Sequence, residues 1–244
     1  MLLGSGKGIT QQTSAAVLIM AIVVVGGAAY IFYGQITGGG PTSTSSTTHS
    51  SAKSVILYVN QGNGKVNDTN FASMVDFAIG KGFNTVFFQV YRGGELLFTQ
   101  GQLGSFVLTS HQSGLKIYFS LYITAPSQPL PSLIYGIGED GISLDMSGLT
   151  TASQESFLNA LKGSYSGSTA VTTTNMTSSL HPDLLVLETY QSSLQSFIAP
   201  GSVGSVGVFA TTSKQDYQAR FMYAYTHSDG VMVFDYAGLV KSGY

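Results

Sequence analysis

The chain has 244 residues and a formal charge of −2, and only 9% of its residues are charged. That balance offers no basic stripe to neutralise phosphates, which argues against nucleic acid as a partner. There is no cysteine, so disulfides, thiolate metal sites and cysteine nucleophiles are excluded, and any domain must stand on its own core.

In chain order, the first feature is an uncharged stretch: from Ile9 to Ala52 there is no Asp, Glu, Lys or Arg. Within it, Ser14 to Tyr33 is an apolar run of about 20 residues, the length that crosses a bilayer as a helix. Tyr30, Phe32 and Tyr33 close the run, where interfacial aromatics gather. Lys7 lies on the other side, which places residues 1–8 in the cytoplasm and the rest outside the cell. The expected arrangement is a leader over 1–8, a transmembrane helix within 9–36, a linker over 37–53 and a globular domain over 54–244. The membrane bilayer is then a partner. Gly4 to Gly8 (GSGKG) lacks the preceding strand and upstream glycine of a phosphate loop.

The order Lys7-Gly8-Ile9-Thr10, then polar residues, then the apolar run, resembles the class III signal peptides of archaeal pilins and archaellins. The resemblance implies cleavage between Gly8 and Ile9, with the helix kept on the mature protein and available for self-assembly. Thr13 stands where bacterial pilins carry Glu, and a plain uncleaved anchor is the alternative. Thr37 to Lys53 (TGGGPTSTSSTTHSSAK) is too poor in apolar residues to pack and reads as an extracellular linker. Asn67-Asp68-Thr69 and Asn175-Met176-Thr177 are glycosylation sequons at Asn67 and Asn175.

From Ser54 onward, short β-branched or aromatic runs recur: Val55–Val59, Thr85–Tyr91, Lys116–Tyr122, Gly141–Asp145, Thr169–Thr173, Leu184–Glu188, Ser205–Ala210 and Gly230–Asp235. Several are apolar on both faces, as buried parallel strands are. Between them, Phe71, Met74, Val75 and Ala78 follow helical spacing. Thr151 to Gln154 reads as a capping box opening a helix that ends at Gly163, and Lys214 to His227 is a third helix. The stretches after the third and fifth strands are poor helix formers. Eight strands alternating with helices predict a compact (β/α)8 TIM barrel, with an open doubly wound sheet as the alternative.

In such a barrel, chemistry sits at the C-terminal ends of the strands. Asp145 ends the fourth run, Glu188 the sixth and Asp235 the eighth, and Glu95 follows the second. Two carboxylates across one pocket suit glycoside hydrolysis, one protonating the leaving oxygen and the other attacking the sugar or activating water. Tyr58, Tyr91, Tyr122, Tyr190 and Tyr236 lie at or past strand ends, with Asn60, Gln89 and Arg92 near the same rim, as candidates to stack on or hydrogen-bond carbohydrate. The four histidines have no metal spacing and no GxSxG elbow is present, so neither metal nor cofactor is expected.

The run Asp140-Gly141-Ile142-Ser143-Leu144-Asp145 resembles the fourth strand of glycosidase-type barrels. Leu184 to Tyr190, Gly230 to Tyr236 and Phe83 to Val90 resemble their sixth, eighth and second strands. The similarity is to the family 114 galactosaminidase and spherulin-4 group, and implies Asp145 and Glu188 as the catalytic pair. Family 18 chitinases continue D-x-D-x-E, where this chain has Ser143, Asp145 and Ser147. The expectation is a membrane-anchored extracellular glycoside hydrolase-like protein, with Asp145 as nucleophile or base and Glu188 as general acid. The rival is a pilin-like filament or surface subunit that displays an inactive barrel.

Overall fold

The computed structural model describes residues 53–62, 65–174, 179–188, 201–208 and 212–244. The leader, the predicted membrane helix and nearly all of the linker lie outside the described residues, as do Asn175 and Tyr190. Among the described residues, no helix is long and apolar enough to cross a membrane.

Eight parallel strands form the centre: β1 (Ser54–Val59), β2 (Thr85–Arg92), β3 (Lys116–Tyr122), β4 (Gly141–Asp145), β5 (Ser168–Thr173), β6 (Leu184–Glu188), β7 (Val203–Gly207) and β8 (Gly230–Phe234). Each pairs with its sequence neighbour, and β8 returns to β1 with Ile56 opposite Met232. The sheet therefore closes into a TIM barrel, and the open doubly wound alternative is overturned. The seventh strand runs Val203–Gly207, earlier than the Ser205–Ala210 expected, because Gly204 interrupts its apolar run; Ala210 lies outside the described residues.

Closure gives each strand two buried faces. One faces the barrel axis, where Ile56, Tyr58, Phe87, Val186, Val203 and Met232 pack together. The other faces the helices in a larger shell, where Phe71, Phe88 and Phe106 meet ring to ring. The axis is tight at its base. A Cβ on Gly141 would lie 2.2 Å from the Tyr118 ring, so the tyrosine fills the space that glycine leaves.

The helices are α1 (Phe71–Gly80), α2 (Gln100–Gln112), α3 (Thr151–Ser164), α4 (Lys214–His227) and α5 (Tyr236–Ser242). α1 buries the four residues its spacing predicts. α2 was not expected, because Gly101 and Gly104 dilute its signal. It still buries Leu103, Phe106, Val107 and Ser110, and it opens on a capping box from Thr99 to Gln102. α3 is capped one residue earlier than predicted, by Thr150, and runs on to Ser164. Gln154 is free of the cap and buried instead, donating to the Met146 and Leu149 carbonyls while accepting from Thr173. Between β3 and β4 there is only a 3-10 turn (Ser132–Ile134).

Candidate active site

Several strands carry buried polar residues toward their C-terminal ends, among them Ser120, Asp145, Thr172 and Glu188. In β4, Ile142 and Leu144 belong to the shell, which leaves Ser143 and Asp145 on the axis side by alternation. Asp145 is 5% exposed and Glu188, at the end of β6, is 6% exposed. Both carboxyl groups converge on one hydroxyl, that of Ser147, two residues beyond β4. Ser147 Oγ donates to Glu188 Oε2 and lies 3.3 Å from Asp145 Oδ1. On the other side of Asp145, the Tyr58 hydroxyl of β1 donates to Oδ2 at 2.8 Å. Ser120 Oγ of β3 donates in turn to Tyr58 at 3.2 Å.

Burial, with the charge of Glu188 as the second cause, pushes the Asp145 carboxyl from 3.8 up to about 7. The hydrogen bonds from Tyr58 and Ser147 pull it back only in part. Burial and the neighbouring Asp145 charge push the Tyr58 phenol well above its usual range, so it remains a donor. Each hydroxyl has one proton. Tyr58 uses its own on Asp145 Oδ2, which leaves Oδ1 as the oxygen to carry the carboxyl proton. Ser147 has one proton for two acceptors, Glu188 Oε2 and Asp145 Oδ1. The hydroxyls thus link the two carboxyl groups: Ser120 donates to Tyr58, Tyr58 donates to Asp145 Oδ2, and Ser147 lies between Asp145 Oδ1 and Glu188 Oε2.

Around this chain the axis side stays polar. The hydroxyls of Ser143, Thr172 and Ser205 are buried without a hydrogen-bond partner among the described residues. Register places Thr172 beside Asp145 and Ser205 beside Glu188. Buried hydroxyls of this kind call for ordered water or a ligand oxygen.

The remaining predicted site residues divide into rim and shell. Arg92 sits 5.8 Å from the centre of the Tyr122 ring, and its guanidinium fills the space over Gly62, where a Cβ would lie 1.9 Å from Nη1. Asn60 accepts from the Gly62 amide and Gln89 from the Gln61 amide, so both fix the turn after β1. Tyr91 is buried in the shell and donates to the Pro129 carbonyl at 2.6 Å. Its register shifts against β3 between Gln89 and Tyr91, which turns Val90 and Tyr91 both outward. Tyr236 packs edge-on against Phe77 in the same shell. Asp235 follows a cis peptide bond and caps α5, accepting from Gly238 at 2.9 Å. Glu95 is exposed in a two-residue antiparallel arm (Glu95–Leu96), its backbone paired with Arg92. Asn67 is exposed, its side-chain oxygen accepting from the Thr69 amide and hydroxyl.

Sequence reasoning missed Ser120 as a partner and took Ser147 only as a departure from a pattern. Neither had a signal in the sequence alone: Ser120 is placed inward by its register opposite Ser143 of β4, and Ser147 lies beyond the strand. A cavity of about 610 Å³ lies on the flank, between the proline-rich segment after β3 and α3, lined by Leu130, Tyr135, Ser156 and Phe157 among others. No predicted site residue lines it. Among the described residues, no group of acidic and histidine side chains could hold a metal.

No family model matches the chain, and no curated protein does. Solved structures do match. One is the family 18 chitinase from the chitin utilization locus of Flavobacterium johnsoniae, at 11% identity and a TM-score of 0.50, covering 76% of this chain and 88% of that one. A second is a xylanase-A-amylase inhibitor protein, at 10% identity and a TM-score of 0.50, covering 78% and 96%. A third holds the tandem family 20 catalytic modules of the pneumococcal exo-β-D-N-acetylglucosaminidase, at 7% identity and a TM-score of 0.50, covering 76% and 78%. These likenesses carry the fold. The chain is a β/α barrel shared with glycoside hydrolases and with an inhibitor of them, and fold alone does not choose between the two.

Proposed function

We propose that this barrel is carbohydrate-active, with Asp145 and Glu188 as a glycoside hydrolase-type acid–base pair. The observation that carries the reading is the convergence of the two carboxyl groups on one hydroxyl at the C-terminal mouth. A carboxyl whose surroundings hold its proton, beside a second carboxyl, is what the chemistry needs. Asp145 holds a proton near neutrality and serves as general acid. Glu188 serves as nucleophile or base, the reverse of the roles the sequence suggested. Groups separated by a single oxygen sit nearer the ~5–5.5 Å of retaining enzymes than the ~6.5–9.5 Å of inverting ones. The rim formed by Arg92 and Tyr122 offers a sugar a planar face and donors.

The second reading is a binding or display module without catalysis. Ser147 favours it, because it stands where the family 18 pattern has its acid, and so does the buried state of both carboxyls. Both readings keep the anchor. Residues 9–36 hold the domain at the outer membrane face, after cleavage at Gly8 and with filament assembly as the further option; their apolar, uncharged composition supports this. Mass spectrometry of the membrane fraction tests it, through a mature chain that begins at Ile9.

The hydrolase reading is tested by reducing-end release from a panel of polysaccharides by the full chain. Asp145→Asn and Glu188→Gln are each expected to lower the rate by about 10²–10⁴-fold while the protein stays folded. Undiminished release in either variant would overturn the assignment. Binding to glycan without release by the wild type would establish the second reading.

A further inference from the structure

Ser147 differs from its two carboxyl partners in one respect: it is half-buried, while they are sealed behind it. The Ser147 hydroxyl already donates to a carboxylate, the arrangement of a nucleophile and its base. Its backbone is held in place, with the Ser147 carbonyl accepting from Thr174 Oγ1 at 3.1 Å. Next to it there is room, since a Cβ built on Gly148 would meet nothing within 4 Å.

We propose that Ser147 is a nucleophile with Glu188 as its base, giving the site an esterase activity toward acyl esters, with O-acylated sugars as the substrate class. The activity goes beyond the glycosidase reading and rests on it only for the sugar as the alcohol. In the first step Ser147 Oγ bonds to the ester carbonyl carbon and its proton passes to Glu188. The carbonyl electron pair moves onto oxygen, where the protonated Asp145 carboxyl donates to it. Collapse breaks the bond to the sugar oxygen, which takes the proton from Glu188 and leaves as the alcohol. Water then attacks the acyl-serine, giving one proton to Glu188; the acyl–Oγ bond breaks, Glu188 returns that proton to Ser147 Oγ, and the carboxylic acid leaves. No oxidant, metal or further co-reactant is needed. Burial supports the donor role, since it keeps Asp145 protonated up to about 7.

The test is labelling of the full chain in detergent with an alkyl fluorophosphonate, read by peptide mass spectrometry, alongside p-nitrophenyl acetate hydrolysis. The expected result is one adduct on Ser147, absent in Ser147→Ala and formed at least 10-fold more slowly in Glu188→Gln, with ester hydrolysis falling in the same two variants. A folded wild type left unmodified at Ser147, or a Ser147→Ala variant that hydrolyses the ester at the wild-type rate, would overturn the proposal. Glu188→Gln keeps the question open to measurement should Ser147→Ala fail to fold, since unchanged labelling in that variant contradicts a base role. Reducing-end release is scored separately. A chain that labels at Ser147 and releases no sugar loses the glycosidase reading and keeps this one, and a chain that releases sugar without labelling does the opposite.

Discussion

The two ends of the barrel axis are filled in opposite ways along the same strands. At the base, Ala170, Val186 and Val203 pack with Ile56, Phe87 and Met232 as an apolar plug. Two residues further along those three strands, Thr172, Glu188 and Ser205 are polar and buried, as are Ser120 and Asp145 at the same mouth. The base stabilises the fold through area removed from water. The mouth costs stability, because burying a carboxyl is unfavourable unless hydrogen bonds or a retained proton offset it. A barrel of about 190 residues could have continued the plug upward, and the polar mouth is what supports the proposed site.

The contrast can be tested from the base first. Phe87→Ala should leave a cavity in the plug and lower stability by about 3–5 kcal/mol, read as a fall in the urea midpoint with an unchanged slope. The mouth should respond in the other direction. The folded-state value for Asp145 lies above its unfolded one, so its contribution is fully present below about pH 4 and is lost as pH rises toward 7. Asp145→Asn should remove that slope, leaving the variant more stable than the wild type at pH 8 by as much as about 4 kcal/mol. Parallel pH–stability curves for the two proteins would contradict it. Tyr58→Phe removes the donor to Asp145 Oδ2 and the acceptor for Ser120. It should cost about 1–3 kcal/mol and move the Asp145 midpoint further up, since the Tyr58 hydrogen bond lowers it. Away from the axis, Thr99→Ala breaks the capping box of α2 and should cost only about 1 kcal/mol, seen in the thermal midpoint.

The base was legible in the sequence and the mouth only in part, for a physical reason. A strand buried on both faces carries a short, nearly unbroken apolar run, as Val86 to Phe88 does in β2. Asp145 and Glu188 were legible because each ends such a run. The serines were not, since an inward serine and a solvent-facing one read alike; only register separates them. The same gap explains Tyr91 and Tyr236, taken as rim aromatics yet found in the shell. One was turned outward by an irregularity in β2, and the other opens a helix, α5, too short to predict. α2 went unseen because its two internal glycines lower helix propensity, while tertiary burial of Leu103, Phe106 and Val107 holds it.

Asp145 keeps its proton at the mouth because burial, and after it the charge of Glu188 across Ser147, disfavours the ionised form. This is tested most directly by carbon-13 NMR titration of the Asp145 carboxyl in the full chain, wild type against Glu188→Gln. The account predicts a midpoint near 7 in the wild type and a clear fall in the variant, where the second cause of the shift is gone. A wild-type midpoint in the ordinary range near 4, unmoved by the substitution, would contradict it.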